Sequence, residues 1–488
     1  MKQKLFLVAI SICMATMSQA QKYMGVATGN WSGMLGVDLN PANVVDNRIK
    51  FELDMFGLNL GVDNNLAGIN TDKISDFINN GGKIKDILNF SGDKQVSLIL
   101  PYVELRLPGF MVNINHKNSI SFSMKFRTMN QIENFDQSFF RTILDDSIAN
   151  RTNYDITSKN FNWTINSWRE FNFTYGRILY EKDEHMLKAG ITVKYLAGYR
   201  YNSIKGNNMD VHFTGAKDSL NMNNTDIQFS SNIADSTSDF SNLSKNFASS
   251  LTNFSYGNGW GANIGIVYEY RPRIDDYTDV KTKELDPGRN KYKLKVALSI
   301  MDIGSINYNN TYNVSITGNG NITGNDALKN FMNYGSVRQY AESRGFKVDT
   351  TVGTTKVYMP TMFIGSVDYK VWKPFYLNVT YMTNMANRSN YGNSFYNQTT
   401  LTPRLDYKVV SLAMPFTMST LTGGTKLGMA IRLGGFYIGL DDMLILMNNN
   451  QKGLNFYTGL YVPISKKKAK HGESEKDVIE SKNDKVIQ

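Results

Sequence analysis

The sequence predicts an all-β fold, a transmembrane antiparallel β-barrel of about 14 strands. Three observations predict it. Apolar and polar residues alternate at every second position in about a dozen segments, which is the side-chain period of a strand. Lys and Arg fall on the non-oily side of those segments. The chain offers little else to cover the oily faces, so lipid is their expected cover. Thr425 to Pro463 shows the device most plainly: Leu427, Met429, Ile431 and Leu433 point one way, and Lys426, Gly428, Ala430, Arg432 and Gly434 the other.

A helical membrane protein is excluded, because beyond Ala20 no apolar run approaches the roughly 18 residues a spanning helix needs. The mean hydropathy of −0.34 agrees. With 39 Gly against 10 Pro, and 27 Tyr and 27 Phe, the composition suits many strands joined by turns.

Met1 to Ala20 reads as a secretory signal peptide, with Lys2 and Lys4, an apolar stretch from Leu5 to Met17, and the small-residue site Ser18-Gln19-Ala20. Cys13 lies inside it, so the mature chain from Gln21 has no disulfide, thiolate metal site or cysteine nucleophile. The net charge of +10 and pI of about 9.2 could suit nucleic acid, but an exported chain with dispersed cations is not expected to bind it.

Residues 21–47 form the N-terminal plug or turn segment. Within it Asn40, Pro41, Ala42 and Asn43 make a turn: Asn-Pro initiates turns, and the Asn side chains bond nearby backbone. Such a segment ahead of the first strand can fold into the lumen. Residues 48–464 are the barrel with its extended loops, and 465–488 a basic tail, expected to be disordered and periplasmic.

Within the barrel, strands are expected at Arg48–Leu60, Gln95–Leu107 (Ile99, Val103, Leu105 and Leu107 on one face), Ser119–Thr128, Phe171–Leu179 and Leu187–Tyr201. Gly259–Tyr270 follows, then Lys291–Ile300, with Tyr292 placed on the oily face beside Leu294. Thr361–Val371, Phe375–Met385, Val410–Met418, Phe436–Met447 and Leu454–Val462 complete the series. With the strand at Thr425 these make about thirteen, and a barrel with both ends in the periplasm needs an even number, so one is missing. Asn202 to Gly257 contains a polar hairpin reaching beyond the membrane. Helical patterns mark Asp72–Leu88, Gln137–Ile148 and Asp326–Arg344, the last closing at Gly345. All three are too short to span.

A cation facing lipid at the midplane costs about 2–4 kcal/mol, so the charged faces line the lumen. Lys125, Arg127, Lys188, Lys194, Arg200, Glu269, Lys293, Lys295, Lys426 and Arg432 are therefore the candidate lumen-lining residues, with Glu104, Glu170, Asp302 and Asp368 beside them. They either pair across strands and brace a filled barrel or line a polar path. Catalysis is not expected: His116 and His185 fall in turns and His471 in the tail, and His212 alone is suggestive, with Asp210 two residues earlier on the same strand face. The histidines are too scattered for a metal cluster, and no cofactor is expected.

The Asn40-Pro41-Ala42 turn, the run Arg432 to Gly439 followed by Asp441-Asp442, and the closing Asn455 to Pro463 resemble the uncharacterised outer-membrane β-barrel proteins of Bacteroidota. The turn also resembles the start of the long-chain fatty acid transporter family of 14-stranded barrels, and of related barrels attached to type IX secretion. That resemblance implies an outer-membrane address, a luminal hatch at residues 21–47 and passage of hydrophobic molecules. At about 27 residues the segment is short for such a hatch, and no ligand residue carries over. Two functions follow: passive transport of small cargo, hydrophobic molecules included, or a non-conducting structural barrel that serves an envelope or secretion partner. Outer-membrane lipid surrounds the barrel in both.

Overall fold

Alternation turns one row of side chains outward and the next inward on every strand, and the strands pair until the sheet meets itself. The computed structural model describes residues 23–70, 73, 88–90, 95–138, 153–214, 219–232, 256–278, 285–286, 288–323, 334–386, 392–444 and 451–466. After β1 (Ile49–Asn64), a small hairpin of β2 (Ala67–Ile69) and β3 (Leu88–Phe90) leads to β4 (Gln95–Asn113), β5 (Asn118–Asp136), β6 (Tyr154–Lys182) and β7 (His185–Thr214). Next come β8 (Ser219–Ser231), β9 (Gly257–Tyr270), β10 (Leu294–Thr323), β11 (Lys347–Tyr358), β12 (Met362–Trp372), β13 (Phe375–Asn384) and β14 (Gln398–Asp406). The wall ends with β15 (Val410–Ala413), β16 (Phe416–Ser419), β17 (Thr425–Leu427), β18 (Met429–Leu433), β19 (Phe436–Leu440) and β20 (Gly453–Ser465).

The pairs β8/β9, β11/β12, β15/β16 and β17/β18 each cross the wall as one interrupted strand, so the ring has 14 strands. It closes where β20 meets β1, from Ile49↔Ser465 to Asp63↔Gly453. Closure pairs the backbone groups that an open sheet would expose to lipid. β14 is the strand the alternation pattern missed, because Pro403 inside it argues against a strand interior. The ladder tolerates the proline by breaking the neighbouring strand there: the Met414 amide donates to the Pro403 carbonyl at 3.1 Å, between β15 and β16.

Ile191, Val193, Ile264, Ile266, Val367, Val379 and Leu412 stand exposed on the outer face. In water they would be a large liability; around a closed barrel they meet lipid, which makes this an outer-membrane-type transmembrane barrel. Short turns join the strands at one end, at 114–117, 183–184, 373–374, 407–409 and 434–435, the periplasmic end in such barrels.

A bulge and a strand boundary change the expected faces. A register shift between Ile99 and Tyr102 turns Ile99 into the interior, fully buried, while Tyr102, Glu104 and Arg106 also point in. Tyr292 precedes β10 and is buried, hydrogen-bonded to Asp368 at 2.5 Å, so it is not on the oily face.

β6, β7 and β10 run for 29, 30 and 30 residues, against the roughly 9–11 that cross a bilayer. Their far halves, with β8 and β11, stand beyond the membrane around a second apolar cluster that includes Phe161, Phe213, Phe229 and Ile316. Val337 and Ala341 of the helix Tyr334–Ser343 pack into it, and that helix ends at Gly345, φ 95°. Apart from a few flanking residues, the helices expected over Asp72–Leu88 and Gln137–Ile148 lie outside the described residues, as do the expected signal peptide and nearly all of the expected tail.

Candidate functional site

The lumen is the candidate site, and the segment inside it is built from short turns. Residues Met24–Ala27 and Met34–Val37 each form one helical turn, and Pro41–Val44 a 3₁₀ turn. Asn40 caps the last one by accepting from the Ala42 amide at 2.9 Å, while its own amide donates to the carbonyls of Ile266 at 3.0 Å and Leu298 at 2.9 Å. No side chain fits between Asn40 and the wall, where a Cβ on Gly265 would stand 2.3 Å from the Asn40 amide oxygen. The Gly25 amide donates to the Tyr457 hydroxyl at 3.1 Å, the Met34 amide to Glu52 at 2.9 Å, and the Asn30 amide to Asp406 at 2.6 Å. Tyr23, Met24, Val26, Leu35 and Val44 share one apolar cluster with the inward-facing Tyr437, Tyr457 and Tyr461.

Charged side chains hold the segment on one side. Asp38 accepts from Lys125 at 2.6 Å and also bonds Arg106, which in turn holds Asp54 at 2.6 Å. Lys125 also faces Glu104 at 3.6 Å, and Arg127 reaches Glu170 at 2.7 Å and Asp302 at 3.1 Å while lying over the Trp168 ring. Lys194 completes the belt with Asp302 at 2.5 Å and Glu170 at 3.3 Å. Strands β1, β4, β5, β6, β7 and β10 thus share one buried, alternating-charge girdle. Every member gives several kcal/mol of desolvation back through its neighbours, and loss of one leaves another unpaired.

The other candidate residues separate. Lys188 meets Glu269 at 3.5 Å and the Val45 carbonyl at 3.1 Å, and Glu269 meets Arg271 at 2.7 Å. Lys295 faces Asp368 at 3.7 Å, whose carboxylate also takes Arg404 at 2.6 Å. Lys426 pairs with Asp63, and Arg432 donates to the Ser411 hydroxyl and the Tyr407 carbonyl, each at 2.7 Å. Two stand elsewhere. An extra residue at Tyr199, where Ser167 pairs with Arg200 and Trp168 with Gly198, reverses the faces after it. Tyr201 therefore enters the interior and Arg200 does not. Lys293 lies outside β10, where it donates to the Val371 carbonyl at 3.1 Å over the half-exposed ring of Tyr369.

Asp38, Arg106, Asp54 and Arg404 were not anticipated as members of these networks. Arg404 lay in the missed strand, and Asp38 in a segment whose depth in the lumen no local pattern reveals. Asp441 and Asp442 follow β19 directly and are buried; Asp441 accepts from Asn455 at 2.7 Å. His212 pairs across the sheet with Asp155, and Asp210 instead accepts from Asn224 at 2.9 Å; all lie in the exposed extension. Among the described residues no group of three His, Cys, Asp or Glu could hold a metal ion.

Next to the girdle's end on β10 the fit is looser. A cavity of about 20 Å3 separates the inner segment, at Thr28, Leu39 and Asn43, from Ala297, Ile364, Ser366 and Thr380 of β10, β12 and β13. It has room for roughly one water molecule. Small neutral side chains dominate the wall there, with Lys295 the one cation in the lining.

The family of unknown function DUF5723 matches residues 41–441, the turn at Pro41 through Asp441. The chain belongs to that family. DUF5723 membership covers most of the barrel and carries no assigned activity. No curated protein matches the chain. Among solved structures, this DUF5723 protein is similar to the Ralstonia pickettii toluene transporter TbuX, at 8% identity over 92% of this chain and 99% of that one, with TM-score 0.44. The P. putida toluene transporter TodX gives 8% identity, 93% and 100% coverage and TM-score 0.43. A Pseudomonas aeruginosa FadL homologue gives 8% identity, 92% and 99% coverage and TM-score 0.27. At TM-scores this low the likenesses carry no argument, and the barrel rests on its own strand pairings.

Proposed function

We propose that the protein is an outer-membrane channel for small, largely uncharged molecules, closed in this state by an N-terminal plug, residues 21–47. The observation that carries this reading is the asymmetry of the lumen. Ion pairs of the girdle tie the plug to β4 and β5, while beside β10, β12 and β13 mostly small neutral side chains leave a cavity next to it. A path there needs only a modest shift of the plug, and a lining whose one charged side chain is Lys295 suits an uncharged solute. Ala27, Leu39, Ala297 and Ile364 in that lining extend the range to weakly polar and hydrophobic cargo.

The test is liposome swelling with sugars and small neutral solutes, for the unmodified protein and for Ala297→Trp, which fills the cavity. Uptake that falls in the tryptophan variant, with heat-modifiable gel migration unchanged, supports the path; equal uptake in both sinks it. A second reading, a sealed structural barrel that binds an envelope or secretion partner, draws on the completeness of the girdle. It requires no swelling by the unmodified protein and a partner that co-purifies through the long loops or the tail.

A further inference from the structure

At the periplasmic mouth three cations come together near Asp46, yet that carboxylate is in ion-pair contact with Arg271 instead of with any of them. Arg48 precedes β1, Lys291 precedes β10 and Lys466 follows β20, and the turn at residues 288–290 lies beside them. The Lys466 amide donates to the Arg48 carbonyl at 3.0 Å. The Arg48 guanidinium donates to the Asn290 side chain at 2.9 Å, directly beside Lys291. A Cβ on Gly288, in the same turn, would lie 3.8 Å from the Lys466 carbonyl oxygen.

Arg48 and Lys291 are 9% and 5% exposed, and their partners are neutral. Arg48 bonds the Asn30 carbonyl and Asn290, and its Nε is buried with no partner at all. Lys291 reaches the Arg289 carbonyl at 3.5 Å. The nearby carboxylates are engaged elsewhere: Asp46 and Glu181 by Arg271, Glu269 by Arg271 and Lys188, while Asp286 accepts from the Gly288 amide. Burial, with help from Lys291 and Arg48 and against the pull of Asp46, lowers the Lys466 ammonium to about 8. Burial also lowers Lys291. Three buried or half-buried cations sharing one carboxylate that Arg271 already holds are costly, and a bound anion relieves that cost.

We propose that Arg48, Lys291 and Lys466 form a binding site for a phosphate-class oxyanion at the periplasmic mouth. A guanidinium fork and two ammonium groups suit a multiply charged tetrahedral anion better than a single carboxylate. The site is separate from the path beside the plug, and lies where periplasmic solutes arrive first.

The experiment is calorimetric titration of the full-length mature protein in detergent micelles with inorganic phosphate and, separately, glycerol phosphate, each against acetate at matched ionic strength. Saturable binding of inorganic phosphate alone assigns the site to the free anion. Tighter binding of glycerol phosphate assigns it to a phosphoryl group on a larger molecule. Lys466→Gln, at the partly exposed end of β20, weakens either by about tenfold, the worth of one charge-assisted hydrogen bond, while Lys356→Gln on the far extension leaves it unchanged. No saturable binding beyond acetate overturns the proposal, as does equal affinity in Lys466→Gln when its heat-modifiable migration shows a folded barrel.

Discussion

Lys125 on β5 holds Asp38 of the inner segment at 2.6 Å, and the same carboxylate also bonds Arg106 of β4. One acidic side chain therefore stands between two buried cations, and the inner segment is held to the wall by a charge as well as by its apolar contacts. Asp38→Asn leaves both cations short of an anion, a loss of about 3–5 kcal/mol for a broken buried pair. The expected outcome is a lower temperature for the heat-modifiable gel shift together with bursts of conductance in planar bilayers. An unchanged transition and a silent bilayer would show that the plug is held by its apolar contacts.

Tyr437 lies across Gly459, its register partner on β20, and a Cβ there would stand 2.2 Å from the phenol oxygen. Gly459→Ala has to displace a fully buried ring and is expected to cost about 1–3 kcal/mol. Gly353→Ala on β11 meets nothing within 4 Å and should be neutral or slightly stabilising. Equilibrium refolding in urea into lipid vesicles measures both, and equal effects would contradict the close approach.

Ile266 and Val352 are both exposed apolar residues, at 46% and 62%, but one faces the bilayer and the other the water around the extension. Ile266→Arg is expected to destabilise by up to about 2–4 kcal/mol, and Val352→Arg by little. The same refolding titration compares them. A similar cost at both positions would place the membrane boundary wrongly.

His116, in the turn 114–117, sits 2.5 Å from Glu181. That hydrogen bond raises the imidazole pKa, with burial opposing and the Glu181 charge adding to it. Because the folded value lies above the unfolded one, the stabilisation is complete below about 6.5 and is lost as pH rises through the folded value. Imidazole NMR in micelles should show a raised titration that returns towards the usual value in Glu181→Gln. A midpoint unmoved by Glu181→Gln would break the assignment.

Much of the barrel was legible because lipid and a polar lumen impose opposite chemistry on alternate residues. Ile264, Ile266, Lys188 and Lys194 announce their faces by parity alone. Legibility failed wherever parity breaks: at the bulge beside Tyr199 that moves Arg200, at the shift after Ile99, at Pro403 inside β14, and at Tyr292 and Lys293, which stand just before β10 begins.

By itself the sequence determined the closed antiparallel wall and the need for an even number of strands, since alternation is a local property that each segment carries independently. Only the tertiary structure decided which charges meet. Asp38 is 68 residues from Arg106, and Arg48 is 242 from Asn290, yet each pair is in contact. Such pairings depend on the curvature of the ring and on how deep the plug descends into it, and a period of two records neither.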